Sequence, residues 1–265
     1  MFKSWTFQNW LIGFITLILA STFAYASEPT KHSASNGKIL VVMTNHSAYP
    51  DRKDTTGLWL TELTHFYDVA SAAGYEMDFV SPQGGTVPLD ERSLKAIYLD
   101  KSAKVNLANP KFLQRLKTTL APSAIVPFQY NAVYYTGGHG TMWDFPNNQE
   151  LKRISETIYQ QGGVISAVCH GVGGLLPLQD QNGKSLIAGR TVTGFANIEE
   201  TLSGMKSQVP FLLQNQLIER GAKYKHSFVP FTSYVIVDDR IITGQNPQSS
   251  KEIAEVVIQR LKTIH

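Results

Sequence analysis

A lone cysteine follows an apolar segment at a point where a strand would turn into a helix. Cys169 is the only cysteine in the chain, and it comes directly after Val164–Val168 and before His170 and Gly171. Such a strand–turn–helix unit lifts a side chain out of the plane of a sheet, which exposes a nucleophile. Free N–H groups at the helix start would favour the thiolate and lower the pKa of the cysteine. The pattern therefore predicts a nucleophilic thiol.

The cysteine count limits the alternatives. One cysteine cannot form an intramolecular disulfide. The remaining alternative is a small buried hydrophobic residue, which is how most lone cysteines behave. Small neighbours such as Ala167 and Gly173 would let the backbone turn tightly and leave room for a ligand. These neighbours favour a reactive thiol over a packing residue.

A second glycine-rich segment follows another apolar run. Gly137, Gly138, His139 and Gly140 come directly after Ala132–Thr136. Glycines expose backbone N–H groups, and such groups can form an oxyanion hole beside a nucleophile. Because glycine-rich loops are common, an ordinary loop is the alternative.

Three glutamates are candidates for the carboxylates of a nucleophile site. At helical spacing, Glu62 falls on the apolar stripe of the segment Gly57–Ala73. Burial would raise its pKa and make it a proton donor or base. From the residues alone, a head group that reaches solvent is the favoured interpretation. Glu199 or Glu200 could hold a base beside the thiol, and the residues alone do not choose between them.

The other histidines lack the spacing of metal ligands. They are scattered singly along the chain, at His32, His46, His65, His226 and His265. We therefore predict no metal site.

Apolar runs alternate with amphipathic segments along the chain, which predicts an α/β fold. The predicted strands are Lys38–Met43, Glu76–Val80, Ala132–Thr136, Val164–Val168, Thr191–Gly194, Tyr234–Val237 and Arg240–Ile242. The predicted helices are Gly57–Ala73 with Thr56 as N-cap, Pro110–Leu116, Asn148–Gln161, a segment that begins at His170, Val209–Glu219 and Glu252–Leu261. This alternation predicts a parallel sheet sandwiched by helices, with an antiparallel hairpin near Asp238 and Asp239. In such a sheet, reacting groups gather at the carboxyl ends of the strands.

The first 26 residues have the features of a secretory signal peptide. Lys3 is the only charged residue before Glu28, an apolar stretch runs over residues 10–20, and residues 24–26 offer a small-x-small cleavage site. The alternative is a membrane anchor, but the apolar stretch is short for a bilayer span. We predict cleavage near Ala26, a flexible lead-in at residues 27–37, and an exported protein, either periplasmic or secreted.

The charge of the remaining chain argues against some partners. Residues 1–26 contain one Lys and no acid, so their removal lowers the formal net charge from +3 to +2. A nearly neutral chain without a basic block predicts no nucleic-acid partner and no anionic membrane surface. Residues 38–265 are expected to form one domain, with loops and short helices inserted at about residues 84–129.

Several motifs occur in an order that is similar to a known superfamily. They are Gly57–Leu63, Ser81–Gly85, Gly137–Asp144, Ala167–Gly171, Thr193–Phe195 and Ile242–Ser250. Together they resemble the ThiJ/PfpI superfamily of class I glutamine amidotransferase-like proteins, in its heat-shock chaperone and glyoxalase III branch. The resemblance covers nearly all of residues 38–260.

The resemblance implies a flavodoxin-like fold, a homodimer, and a cap-like region at residues 84–129. It also implies that Cys169 is the nucleophile and His170 its partner. Glu200 would be the carboxylate of the triad, and Glu62 the acid close to the thiol. Substrate or oxyanion contacts are expected at Gly137, Gly138, His139 and Trp143.

The implied activity is that of a cofactor-independent lyase. A glyoxalase III-like enzyme would convert methylglyoxal or a similar α-oxoaldehyde to a 2-hydroxy acid without glutathione. No cofactor is expected, because the hemithioacetal would form on the protein itself. The alternatives are a stress holdase that binds unfolded clients, and a cysteine hydrolase or deglycase-like enzyme of the same superfamily.

Overall fold

The main sheet is built from the apolar runs of the sequence. The computed structural model describes Met1, Phe2 and residues 35–264. In these residues the strands are β1 Lys38–Val42, β2 Glu76–Val80, β3 Ala132–Tyr135, β4 Val164–Val168, β5 Thr191–Val192, β6 Lys223–Tyr224, β7 Val235–Asp238 and β8 Ile241–Gly244. Six of them pair in the order β2-β1-β3-β4-β8-β7, in parallel except for β7 and β8. The predicted parallel sheet and its antiparallel hairpin are confirmed.

Helices flank this sheet. They are α1 Leu60–Ala72, α2 Lys101–Leu107, α3 Pro110–Lys117, α4 Thr141–Asp144, α5 Gln149–Gln160, α6 Asn197–Leu202, α7 Leu213–Glu219 and α8 Ser250–Ile264. Helix α1 packs on α8, α8 packs on β4 and β8, and α5 packs on β3 and β4. Strands β3 and β4 are buried along their whole length, as expected for central parallel strands covered by helices on both faces. This packing fixes the carboxyl ends of β3 and β4, where the two glycine-rich motifs begin.

Helix α1 is joined firmly to the end of the sheet. The Phe66 ring stacks on the Tyr134 ring of β3 with centroids 3.7 Å apart. The Tyr134 hydroxyl donates to the carbonyl of Glu62 at 2.8 Å. These contacts hold the first turn of α1 over the carboxyl end of β3.

Several details of the sequence-based assignment were wrong, and one is that the helix predicted at Val209–Glu219 begins only at Leu213. Helix α1 begins at Leu60 rather than near Thr56, because residue 58 is extended and its N–H donates to the Pro88 carbonyl. The segment that begins at His170 is part of a short 3₁₀ helix, Cys169–Leu175. The strand predicted at Thr191–Gly194 is only β5, which pairs with β6 in a separate two-stranded sheet because β8 already occupies the edge of β4.

The inserted segment at about residues 84–129 contains α2 and α3. It also contains three 3₁₀ turns, at Glu91–Leu94, Pro122–Ala124 and Pro127–Gln129. Helix α2 packs on α1, so the segment is attached to the helix that carries Glu62. Short helices and turns thus make up this segment, and its status as an insertion stays a prediction.

Apart from Met1 and Phe2, the predicted signal peptide falls on residues outside the described part of the chain, and so does most of the lead-in at residues 27–37. Within the described residues, none of the helices is both long and apolar enough to cross a membrane.

Candidate active site

The backbone at Cys169 has the strained turn that the sequence predicts. Cys169 directly follows β4 and has a φ of +56°, a value that non-glycine residues rarely adopt. A Cβ atom at Gly171 would lie 2.3 Å from the carbonyl oxygen of Thr136, so the turn can approach the end of β3 only through a glycine. The turn therefore presents the thiol at the carboxyl ends of two neighbouring strands.

Polar side chains continue from the thiol into the protein. Sγ of Cys169 lies 3.3 Å from Nδ1 of His170, and Nε2 of His170 lies 2.7 Å from Oε2 of Glu200. The other oxygen, Oε1 of Glu200, lies 2.8 Å from Nε2 of His139. No more than 3% of any of these four residues is exposed. Thiol, imidazole and carboxylate stand in the order that a nucleophile, a base and an orienting group require.

Glu199 and Glu200 are both buried, but only Glu200 contacts the histidines. Glu199 instead accepts hydrogen bonds from three donors: the N–H of Ala196 at 3.1 Å, the N–H of Phe231 at 2.7 Å and Nδ2 of Asn246 at 2.8 Å. Adjacent residues on a helix point about 100° apart, so the two carboxylates face different surroundings. The structure thus places Glu200 in the position that the resemblance implies.

Glu199 is expected to stabilise the fold rather than take part in chemistry. In Glu199→Gln, the amide nitrogen cannot accept, so at least one of these buried donors loses its partner. We expect a loss of about 1–3 kcal/mol in the free energy of unfolding, measured by urea denaturation. Glu255→Gln, which changes a carboxylate on the exposed face of α8, is the matched control. An unchanged midpoint for Glu199→Gln would contradict this role.

Arg92 is a site residue that the sequence analysis missed. One of its terminal nitrogens lies 2.6 Å from Nδ1 of His139, 2.6 Å from the Tyr49 hydroxyl and 2.7 Å from Oδ2 of Asp90. Asp90 is fully buried and also accepts from the hydroxyl of Thr56 at 3.1 Å. The only local sequence signal was Asp90 as the N-cap of a short 3₁₀ helix. That signal marks a turn and does not indicate a site.

Burial and neighbouring groups determine the charges of Glu200 and His139. Burial raises the pKa of Glu200, but the charge and hydrogen bonds of His170 and His139 outweigh it and hold that pKa well below its usual range. Burial lowers the pKa of His139 to about 4, with a contribution from His170. Glu200 is therefore ionised and His139 is neutral at neutral pH.

Glu62 is a neighbour of the thiol and is fully buried. Its Oε2 accepts a hydrogen bond from the N–H of Gly137 at 2.6 Å. Oε1 has no hydrogen-bond partner among the described residues. Cys169 is nevertheless close enough to Glu62 for each group to shift the pKa of the other. Burial raises the pKa of Glu62 to about 8. The solvent-reaching head group favoured from the residues alone was wrong, because the first turn of α1 packs directly over β3.

The lowered thiol pKa that the sequence predicted was also wrong. Burial raises the pKa of Cys169 well above its ordinary value, and the nearby charge of Glu62 raises it further. The N–H of His170 acts in the opposite direction but is outweighed. A short 3₁₀ helix supplies few free N–H groups, so loss of hydration decides the outcome. At rest, Cys169 is a neutral thiol and Glu62 holds a proton near pH 7.

A cavity of about 540 Å³ opens onto Cys169. Gly138, His139 and His170 line it beside the thiol, and the inserted segment contributes Arg92 to its wall. The remaining wall is mostly apolar and includes Trp59, Ile97, Tyr98, Phe195, Leu202 and Phe231. A small carbonyl compound can therefore reach the sulfur. Glu62 and Glu200 do not line the cavity.

Two of the expected substrate contacts are not made. The N–H of Gly137 is already bonded to Glu62, so it is not available to an oxyanion. Trp143 does not line the cavity, because its position on α4 turns the indole onto the ring of His46, with centroids 4.6 Å apart. Gly138 and His139 do line the cavity, as expected.

His139, His170 and Glu200 offer ligand atoms within 4.8 Å of one another, close enough to hold a metal ion. The sequence did not indicate this grouping, since the three residues are far apart in the chain. Both oxygens of Glu200 are already paired with the two imidazoles. The guanidinium of Arg92 can only donate, so Nε2 of His139 carries the proton that a metal would have to displace. The arrangement fits a hydrogen-bonded relay better than a metal centre.

The chain is similar in sequence to one known protein family. The sequence profile of the DJ-1/PfpI family matches residues 55–260, which include every residue of the relay. The chain belongs to the DJ-1/PfpI family. This membership agrees with the superfamily that the motifs resemble.

Two relatives of the chain are named as glyoxalases. Glyoxalase 3 of Candida albicans is 35% identical over 230 residues, which is 83% of this chain and 97% of that protein. The glutathione-independent glyoxalase HSP31 of Saccharomyces cerevisiae is 32% identical over 237 residues, which is 85% of this chain and 98% of that protein.

Two solved structures superpose on most of the chain. Rapid Encystment Protein 24 KDa of Francisella tularensis has a TM-score of 0.81 at 39% identity, covering 85% of this chain and 99% of that one. Glyoxalase III of Candida albicans has a TM-score of 0.78 at 33% identity, covering 85% and 97%. The flavodoxin-like α/β fold implied by the motifs is therefore confirmed.

Proposed function

We propose that this DJ-1/PfpI family member is a cofactor-independent glyoxalase that converts methylglyoxal or similar α-oxoaldehydes to 2-hydroxy acids without glutathione. The observation that carries the proposal is a buried thiol at the cavity floor, 3.3 Å from the imidazole of His170. A carboxylic acid, Glu62, also adjoins this thiol. The names of the relatives support the same activity.

The first step is addition of the thiol to the aldehyde. Because burial raises the pKa of Cys169, the sulfur needs a base at the moment of attack. Nδ1 of His170 accepts the Sγ proton while its Nε2–H stays bonded to Glu200. The new S–C bond forms at the aldehyde carbon, and the proton is returned to the aldehyde oxygen to give a hemithioacetal. The N–H of Gly138 is proposed as an oxyanion donor, worth about 3 kcal/mol.

The second step moves hydrogen between the two carbons of the substrate. A base takes the proton from C1 of the hemithioacetal, which gives an enediol, and a proton is delivered to C2. C1 is oxidised to a thioester and C2 is reduced to a carbinol, so no external oxidant or reductant takes part. Both Glu62 and His170 can carry this proton, since each adjoins the sulfur. Water then attacks the thioester, the C–S bond breaks, and the thiol recovers its proton as the 2-hydroxy acid leaves.

The proposal is tested by incubating the purified protein with methylglyoxal in the absence of glutathione. Each enantiomer of lactate is measured with a stereospecific dehydrogenase, and a reaction without protein gives the background rate. We expect lactate to form at a rate that added glutathione does not raise. A protein that is folded but forms no lactate would refute the glyoxalase proposal.

Exposed apolar side chains at the cavity rim support a second candidate, a holdase. Ile97 is 83% exposed and Leu202 is 60% exposed, and both line the cavity. Clients that expose apolar segments could bind such a surface. Equal suppression of the aggregation of a heat-denatured client by the wild type and Cys169→Ser would favour this function.

We also propose, from the sequence of residues 1–26, that the protein is exported and cleaved near Ala26. From the family resemblance, we propose that the mature chain is a homodimer. The intact mass of the protein purified from its native host tests the cleavage, since the expected chain begins at Ser27. Light scattering on the same sample tests the dimer. A full-length chain in the cytoplasmic fraction would contradict export without affecting the proposed chemistry.

A further inference from the structure

The side chain of Arg92 contacts polar groups of three residues, Tyr49, Asp90 and His139. Besides His139 and Tyr49, it contacts both oxygens of Asp90, at 3.1 Å from Nε and 2.7 Å from the terminal nitrogen. Its side chain is only 15% exposed, and that of Asp90 is fully buried. Burial lowers the pKa of Arg92, but the hydrogen bonds and charge of Asp90 outweigh it, so the guanidinium remains protonated. Asp90 and Tyr49 thus hold a permanent cation against Nδ1 of His139.

This contact determines where the protons of the relay lie. A guanidinium has donors but no acceptor, so Nδ1 of His139 must present its lone pair to Arg92. The single proton of neutral His139 is then on Nε2, where it donates to Oε1 of Glu200. Oε2 remains to accept the Nε2–H of His170, and Nδ1 of His170 is directed at the thiol.

We propose that Arg92 is a positioning residue for Cys169, acting through the tautomers of His139 and His170. The inference rests on the proposed function for its kinetic consequence, but the tautomer of His139 is defined without it. If Arg92 is absent, only Glu200 holds the proton of His139 on Nε2. In the molecules whose proton lies on Nδ1 instead, the Nε2 lone pair faces the Glu200 carboxylate. That repulsion turns the carboxylate away from His170 and removes the base from the thiol.

The tautomer can be observed directly. The chain contains seven histidines, and ¹⁵N-labelled histidine with the His139→Gln variant assigns the signal of His139. We expect wild-type His139 to show a protonated Nε2 and an unprotonated Nδ1 at pH 7, and Arg92→Gln to show a mixture. A protonated Nδ1 in the wild type would overturn the proposal. This result does not depend on catalysis, so failure of the glyoxalase assay and failure of this inference are distinguishable.

Kinetics provide the second measurement. Substitution of a residue that orients a metal ligand from behind typically costs about 10- to 100-fold in activity. By analogy, we expect Arg92→Gln to lower kcat by about this factor, with little change in KM. Arg92→Lys keeps a cation beside Asp90 and is expected to lose less, which covers the case in which Arg92→Gln does not fold. The exposed Arg153 of α5 gives the control Arg153→Gln. An unchanged kcat in folded Arg92→Lys and Arg92→Gln would overturn the proposal.

A double variant separates positioning from direct substrate contact. Glutamine at position 139 cannot change tautomer, so Arg92 has nothing left to set in the His139→Gln background. We expect Arg92→Gln/His139→Gln to lose no more activity than His139→Gln alone. Additive losses, or a loss confined to KM, would show that Arg92 binds substrate instead.

Discussion

Replacing Cys169 with serine is expected to lower lactate formation by at least about 10³-fold. A serine hydroxyl keeps the size of the side chain and the contact with His170, but it is a far weaker nucleophile toward an aldehyde. The loss should appear in kcat, because the cavity wall that binds the substrate is unchanged. The measurement is the rate of lactate formation without glutathione, compared at equal concentrations of folded protein.

A chemical experiment on the wild type provides the control for this variant. Cys169 is the only cysteine, so a thiol-alkylating reagent can modify one sulfur atom in the chain. Loss of activity should follow the mass increase of one alkyl group, and methylglyoxal should slow both. Alkylated protein with full activity, or Cys169→Ser with more than about a tenth of wild-type kcat, would contradict a nucleophilic role.

Local signals located the reactive turn because its requirements are local. The predicted strand Val164–Val168 matches β4 at both ends, and the small residues after Cys169 are the ones that the turn needs. The glycine-rich motif after β3 was found for the same reason, since a buried parallel strand is followed by a loop at the active edge of the sheet.

The relay around the thiol could be found only in part, because it depends on long-range packing. Glu199 and Glu200 are neighbours on α6, and the donors that surround each of them decide their roles. Arg92 lies 47 positions before His139, in an inserted segment without a recognisable motif. No local pattern indicates which loop residue will reach a given imidazole.

The electrostatic predictions failed where burial opposed a local effect. A helix start favours a thiolate, but the loss of water around Cys169 has the larger effect on its pKa. Glu62 shows the same principle. It lies in the first turn of α1, where a side chain could have reached solvent, but its carboxyl group is fully buried. Depth within the fold cannot be read from the residues of one turn.

The Glu62→Gln variant is expected to lose activity and gain stability at high pH. Glutamine can still accept from the N–H of Gly137, but it cannot carry a proton, so kcat should fall by about 10²- to 10⁴-fold. In the wild type, the pKa of Glu62 rises from 4.5 to about 8 on folding. The folded state therefore retains a proton that the unfolded state releases, and stability falls between pH 4.5 and about 8 by up to about 1.4 kcal/mol per pH unit.

The pH dependence of unfolding separates these effects. Urea denaturation of both proteins from pH 4.5 to pH 9 should give a wild-type curve that falls more steeply than that of Glu62→Gln. The difference in unfolding free energy should grow with pH and level off above pH 8, because the folded wild type then carries an unpaired buried carboxylate. Glu76→Gln, on the exposed edge of β2, should leave both the slope and the activity unchanged. Parallel curves for the wild type and Glu62→Gln would mean that Glu62 is ionised at rest, and the proton in the second step would then come from His170.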